Sequence, residues 1–290
     1  MNIKELKSFV CVYEEKSINQ AATKLFISSQ GLSKIIKNLE TELGTTLFER
    51  TQKGVLPTES ADFLYERVDL LISHLENIKN GIHQLETKNK RLRIACARGV
   101  LNAISFQLIL DFIEQNPEIE VEWAEYTNDE VKEMIASYKA DVGIVVGASD
   151  NVAIVEKQIA SRDIILTVYE GHPYYNREEI SISELKNEKI IILNEKFRVY
   201  HDFYNRCIES GFEPQIVGKT VDSHFLYKLS KLKVGIGVLI DFSTEDFTLS
   251  KVRVIPLKEK IKWDIYQICN KKSQDFSTIK TFQKYINDRI

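Results

Sequence analysis

Residues 1–58, MNIKELKSFVCVYEEKSINQAATKLFISSQGLSKIIKNLETELGTTLFERTQKGVLPT, decide the fold. Ile3, Leu6, Phe9, Val10 and Tyr13 recur at helical spacing, which turns one apolar stripe inward and leaves Lys4, Lys7 and Glu14 in water. Ser17 opens a second helix, with Gln20 three residues on in the capping-box arrangement, and Ala21, Ala22 and Leu25 form its inward face. Paired alanines suit two helices that cross steeply over a tight turn, where backbones approach closely. Ser28 is the N-cap of a third helix whose buried side reads Leu32, Ile35, Ile36, Leu39 and Leu43, and Gly44 ends it in a left-handed conformation. Near its start this helix turns Ser29, Gln30, Ser33, Lys34 and Lys37 outward, short polar and cationic groups that match base edges and phosphates in a major groove.

Residues 46–57, TLFERTQKGVLP, read as two short strands around a Gln52-Lys53-Gly54 turn. Such a wing presents Arg50 and Lys53 to the DNA backbone or a minor groove. From Lys24 to Asn38 there are three lysines and no acid, in a chain whose formal net charge is −3. A positive field that is local favours sequence-selective contact over coating of any polyanion. A plain helical bundle with a solvated polar face does not account for the ordered set of cap, double alanine, polar helix start and basic wing. The stretch reads as a winged helix-turn-helix.

After Thr58 no proline or glycine interrupts the chain until Gly81, and apolar residues fall at Leu64, Val68, Leu71, Leu75, Ile78, Ile82 and Leu85. Alternating steps of four and three make the 3.5-residue repeat of a coiled-coil seam. The same residues also fit an amphipathic helix packed on its own domain. Position favours the seam, because two successive major-groove half-sites require a dimer. Gly81 within it costs about 1 kcal/mol relative to alanine, so the end of the helix is expected to bend or fray.

The chain has 290 residues, and at about 150 per domain it holds two units or more. No apolar stretch approaches the roughly 18 residues of a membrane span and no signal-peptide pattern opens the chain, so a cytoplasmic protein without membrane contact is expected. Cys11, Cys96, Cys207 and Cys269 are scattered without metal-ligand spacing. The five histidines form no HExxH pattern, and neither a GxSxG elbow nor a P-loop is present, so neither enzyme, metal site nor cofactor is expected. Gly235-Ile236-Gly237 lacks the third glycine of a nucleotide loop.

Beyond a polar linker at Glu86–Lys90, strands and helices alternate: strand 91–97, helix 101–115, strand 119–125, helix 129–139, strand 141–146. A second run has strands at 164–169, 190–193, 215–220 and 235–240 with helices at 199–210 and 224–231. A strand at 265–269 and a helix at 277–289 return to the first run. Two α/β lobes joined by crossing strands enclose a cleft. Ligands sit beyond the carboxyl ends of such strands, near helix N-termini. That rule selects Arg98, Gly99 and Val100, Thr127 and Asn128, Gly147, Asn194, Lys196 and Arg198, and Ser223 and His224. The Arg98 guanidinium favours a carboxylate, phosphate or sulfate.

The first 58 residues resemble the N-terminal domain of LysR-type transcriptional regulators along their whole length. The marks are the Phe9 helix, the Ser17 turn followed by Ala21-Ala22, Leu32-Ser33, Leu39-Glu40, and Leu43-Gly44 through Leu47-Phe48-Glu49-Arg50. The family usually has Gln then Pro or Ser where this chain has Ser29 then Gln30, often a small hydroxyl residue where it has Arg98, and often proline where it has Asp241. The resemblance implies a DNA-binding domain at 1–58, a linker and dimerisation helix at 59–90, and an effector domain at 91–290 similar to periplasmic solute-binding proteins. Its first lobe would comprise about 91–161 and 269–290, its second about 162–268. It implies binding to an interrupted inverted repeat in promoter DNA through Ser28, Ser29, Gln30, Ser33, Lys34, Lys37, Arg50 and Lys53. It also implies dimers assembling into tetramers, contact with RNA polymerase, and a small-molecule effector. A cysteine redox switch and an effector-independent DNA binder are the alternative readings.

Overall fold

The computed structural model describes residues 1–52, 54–86, 90–244 and 251–290. They form two compact units, Met1–Leu85 and Glu86–Ile290.

In the first unit, α1 (Ile3–Glu15) opens with a full capping box, in which Asn2 Oδ1 accepts the Glu5 N–H and the Glu5 carboxylate accepts the Asn2 N–H. Its buried face is Leu6, Phe9 and Val12 with Cys11, while Val10 and Tyr13 are only half-buried. Tyr13 instead stacks on Tyr65. α2 (Ile18–Lys24) forms half of its expected box, with Ser17 Oγ accepting the Gln20 N–H, and buries Ala21 and Ala22. α3 (Ser29–Leu43) is capped by Ser28 Oγ on the Gly31 N–H and buries Leu32, Ile36 and Leu39. Leu43, expected on that face, is exposed in the last turn, and Gly44 ends the helix at φ 67°.

The wing pairs β1 (Phe48–Thr51) with β2 (Gly54–Pro57) from Phe48↔Pro57 to Thr51↔Gly54. Glu40 accepts the N–H groups of Leu47 and Phe48 and so fixes where the wing starts. At its other end the Val55 N–H donates to the Lys16 carbonyl, and Gly54 sits at φ 140° so close to that oxygen that a Cβ would collide with it. The wing is thereby clamped to the turn between α1 and α2.

α4 (Glu59–Glu86) continues through Gly81 as one helix. Val68 is fully buried in the core of the winged unit, and Leu64, Tyr65 and Ile72 pack against it. Leu64 and Val68 therefore leave the expected seam, because the first turns of α4 bury their apolar face at home. Leu71, Leu75, Ile78 and Ile82 remain 37–50% exposed. The Leu85 side chain lies outside the described residues, as does Lys53.

The second unit comprises β3 (Lys90–Ala97), α5 (Val100–Ile104), α6 (Gln107–Gln115), β4 (Ile119–Tyr126), α7 (Asn128–Ala136), β5 (Val142–Val146) and β6 (Ile154–Tyr169). There follow β7 (Lys189–Leu193), α8 (Arg198–Glu209), β8 (Gln215–Thr220), α9 (Ser223–Lys231), β9 (Ile236–Ile240), β10 (Val252–Pro256), β11 (Lys262–Asn270) and α10 (Ser277–Asn287). The single helix expected over 101–115 is two, broken where Ser105 adopts φ 70°.

The strands run in the order β4-β3-β5-β11-β6-β9-β7-β8, with β10 also on β6. β6 serves both lobes: Ile154–Asp163 pair with β11, whereas Ile164–Tyr169 pair with β9 and β10. β11 lies wholly in the first lobe, antiparallel to β5. Its first residue, Lys262, stands opposite Asp163, so the chain returns to the first lobe there and not at 269. Two crossing segments thus lie side by side at Asp163 and Lys262.

Candidate functional site

The winged unit presents a polar groove. Ser29, Gln30 and Ser33 at the start of α3 share it with Ser17 and Asn19 at the start of α2 and with Arg50 and Thr51 of the wing. Lys34 and Lys37 follow along the α3 face, again with Arg50 opposite. Ser28 is set apart by its capping bond, which uses its hydroxyl oxygen. Of the three lysines between 24 and 38, Lys24 is neutralised by Glu15 at 2.8 Å, whereas Lys34, Lys37 and Arg50 have no ion-pair partner among the described residues. The positive field is therefore carried by groups that line two adjoining depressions sharing Ser33 and Arg50.

Sequence reasoning missed Asn19. Asn19 was hidden because nothing in a capping pattern says that the α2 start faces the same groove. Phe26 lies in the turn between α2 and α3, 95% exposed and at φ 54°.

In the second unit a cavity of about 280 Å³ lies between the lobes. Arg98, Gly99, Thr127 and Asn128 line it from the first lobe, and Lys196, Arg198 and Ser223 from the second. The other expected residues stand behind this wall. Val100 is fully buried in the core, Asn194 Oδ1 accepts the Lys196 N–H, and the His224 N–H donates to Asp222. Gly147 supports the site from outside: at φ 73° it lets the Arg198 guanidinium pack so closely that a Cβ would lie 3.2 Å from Nη1. Arg198 also donates from Nε to Asp202 at 2.8 Å.

Several lining groups are already committed to the protein. The Asn128 amide bonds at both ends to the Val146 backbone, accepting from its N–H at 2.8 Å and donating to its carbonyl at 2.9 Å. Thr127 N–H and O–H both donate to Glu130 at 2.7 Å and hold that carboxyl below the usual range, with Arg98 and Lys196 adding to the effect. Asp222 caps α9, and Glu125 accepts the Gly99 N–H. Burial, with Arg198 adding, lowers the nearby Lys132 ammonium, which donates to the Ala148 carbonyl. The apolar part of the wall includes Phe197, Phe242 and Trp263, with the last two rings 5.5 Å apart. These aromatics were not expected: Trp263 reaches the cleft through the second crossing segment, and Phe242 from the turn that follows β9.

All four cysteines are buried and unpaired. Burial pushes the Cys96 and Cys207 thiols up to about 12 and raises Cys269 as well. A thiol so shifted holds almost no nucleophilic thiolate at neutral pH.

A winged helix-turn-helix with a cationic face, followed by a two-lobed domain with a ligand-sized cleft, defines a ligand-responsive regulator of transcription. The model of the bacterial regulatory helix-turn-helix proteins of the lysR family matches residues 3–62, and that of the LysR substrate binding domain matches residues 86–290. The chain belongs to the LysR family of transcriptional regulators. It is 28% identical over 273 residues to the uncharacterized HTH-type transcriptional regulator YwbI of Bacillus subtilis, covering 93% of this chain and 91% of that protein. With the DNA-binding transcriptional dual regulator OxyR of Escherichia coli it shares 26% over 226 residues, 78% of this chain and 72% of that one. Among solved structures, full-length CbnR complexed with its target DNA shares the fold at a TM-score of 0.74 and 17% identity over the full length of both chains. No helix among the described residues is long and apolar enough to cross a membrane.

Proposed function

We propose that the chain acts in the cytoplasm as a dimer, or a pair of dimers, on an interrupted inverted repeat in promoter DNA. Lys34, Lys37 and Arg50 anchor phosphates, and Ser29, Gln30 and Ser33 lie near base edges. The observation that carries this reading is that three cations without ion-pair partners among the described residues and the α3 start line two adjoining depressions sharing Ser33 and Arg50. The exposed stripe Leu71, Leu75, Ile78 and Ile82 supports pairing through α4. A small anion between Arg98 and the second lobe shifts lobe closure and with it the spacing of the DNA-binding pairs, through its different affinity for the two arrangements. The buried, high-pKa thiols favour this ligand-driven reading over a redox switch.

Its test is binding of the purified full chain to the DNA upstream of its own gene, beside a Gln30→Ala, Lys34→Ala double variant. Selective binding by the wild type that is lost in the variant is expected. Equal binding by both would overturn the assignment of the groove.

A further inference from the structure

We infer that the effector is an organic carboxylate on a compact apolar body, gripped by Arg98 from the first lobe and Lys196 from the second. The inference rests on the reading of the cleft as the effector site and adds the chemical class of the ligand. Arg98 and Lys196 line the cavity from opposite lobes, and their charged groups have neither hydrogen-bond nor ion-pair partner among the described residues. Most of the other polar lining groups, Asn102 and Ser223 excepted, contrast with them. Asn128, Thr127, Glu125 and Asp222 are each engaged by the protein's own N–H, O–H or carbonyl groups. The rest of the wall is largely apolar, with Phe197 on one side and the Phe242–Trp263 pair on another.

Three ligand chemistries meet this wall differently. A sugar or polyol brings a hydroxyl at nearly every carbon, and a buried hydroxyl without a partner carries a desolvation penalty. Here most potential partners are taken. Inorganic phosphate or sulfate satisfies the two cations but covers none of the aromatic surface, which contributes to binding only when apolar atoms displace water from it. A carboxylate with an apolar body uses both kinds of wall at once. The volume of about 280 Å³ lies just below the roughly 300–1,000 Å³ of ligand clefts, room for a body of about one ring. The placement of the cations also connects binding to motion. Arg98 and Lys196 belong to different lobes, so an anion held by both joins the lobes only when both reach it.

The chain's two tryptophans give a direct reading, because Trp263 lines the cleft and Trp123, on β4, does not. In the full chain carrying Trp123→Phe, Trp263 emission is titrated with phenylacetate, cyclohexanecarboxylate, neutral phenylacetamide, inorganic phosphate and sulfate, with calorimetry in parallel. Phenylacetate or cyclohexanecarboxylate is expected to give a saturable change. Phenylacetamide should bind at least tenfold more weakly, and Arg98→Ala and Lys196→Ala should each weaken the carboxylate at least tenfold without changing the melting temperature. Tighter, Arg98-dependent binding of phosphate or sulfate would overturn the apolar body while leaving the anionic reading intact. Equal binding of phenylacetamide and phenylacetate, unaffected by Arg98→Ala, would overturn the anion in both readings. No saturable response to either carboxylate would overturn the inference.

Discussion

The proposed DNA face and the proposed effector cleft hold similar side chains under opposite conditions. On the winged unit, Lys34, Lys37 and Arg50 stand on a rigid helix and strand, in water, without ion-pair partners among the described residues. In the cleft, most polar side chains are tied to the protein, and two cations without hydrogen-bond or ion-pair partners among the described residues share the lining with an aromatic wall. The ligands explain the difference. DNA is a long polyanion met by several exposed charges, each weak and screened by salt, whose effects sum as counterions are released. A small ligand is recognised by a few groups in a partly dry cavity, where every polar group not aimed at it must be satisfied by the protein itself.

The largest expected effect breaks the pairing of the DNA faces and spares the cleft. Leu75→Glu with Ile78→Glu places charge on the exposed stripe of α4. Sedimentation should show a smaller assembly, and operator affinity should fall by about 10²–10⁴-fold as simultaneous engagement of two half-sites is lost. An unchanged assembly would remove α4 from the interface. Next comes the wing. Gly54→Val drives a side chain into the Lys16 carbonyl and should destabilise the winged unit by about 3 kcal/mol, seen as a lowered melting transition with weakened DNA binding. Cleft titrations should be unchanged.

A smaller effect concerns acid. The Glu130 carboxyl is held below its usual range by Thr127, so its contribution to stability is complete above the unfolded carboxyl pKa of about 4.3 and is lost as pH falls through the lower folded value. The difference in melting temperature between wild type and Glu130→Gln should therefore shrink below about pH 4. A constant difference down to pH 2 would contradict the capping role. The smallest effect is expected of the thiols. Cys96→Ser and Cys207→Ser should leave the response of DNA binding to peroxide as it is in the wild type, because both thiols are protonated at neutral pH.

The two regions also differ in how far their sequences disclose them. Ser28, Gly44, the double alanine and the outward Ser29-to-Lys37 face are local signals, each fixed by a cap or a turn of helix, and the fold follows them closely. Where side chains are shared between distant segments, pattern alone is ambiguous. The heptad spacing of Leu64 and Val68 is the same whether a second chain or the winged core covers them, and the core does. The break at Ser105 carries no glycine or proline to announce it. The polar residues Glu156, Lys157 and Gln158 disguise the first half of β6, which is a crossing strand. With the crossings hidden, so was the arrival of Trp263 in the cleft, while Arg98, Lys196 and Arg198 were legible from the rule that ligands sit beyond strand ends.

The central claim is that the α3 and wing cations read DNA as one unit. It is tested most directly by measuring affinity for the upstream DNA against salt, for the wild type and for Lys34→Ala, Lys37→Ala, Arg50→Ala together. Each cation that neutralises a phosphate contributes about 0.9 to the slope of log affinity against log salt. The account predicts that the variant's slope is shallower by about 2.7 per winged unit engaged, with the fold intact. An unchanged slope would contradict it and move the DNA contact elsewhere on the chain.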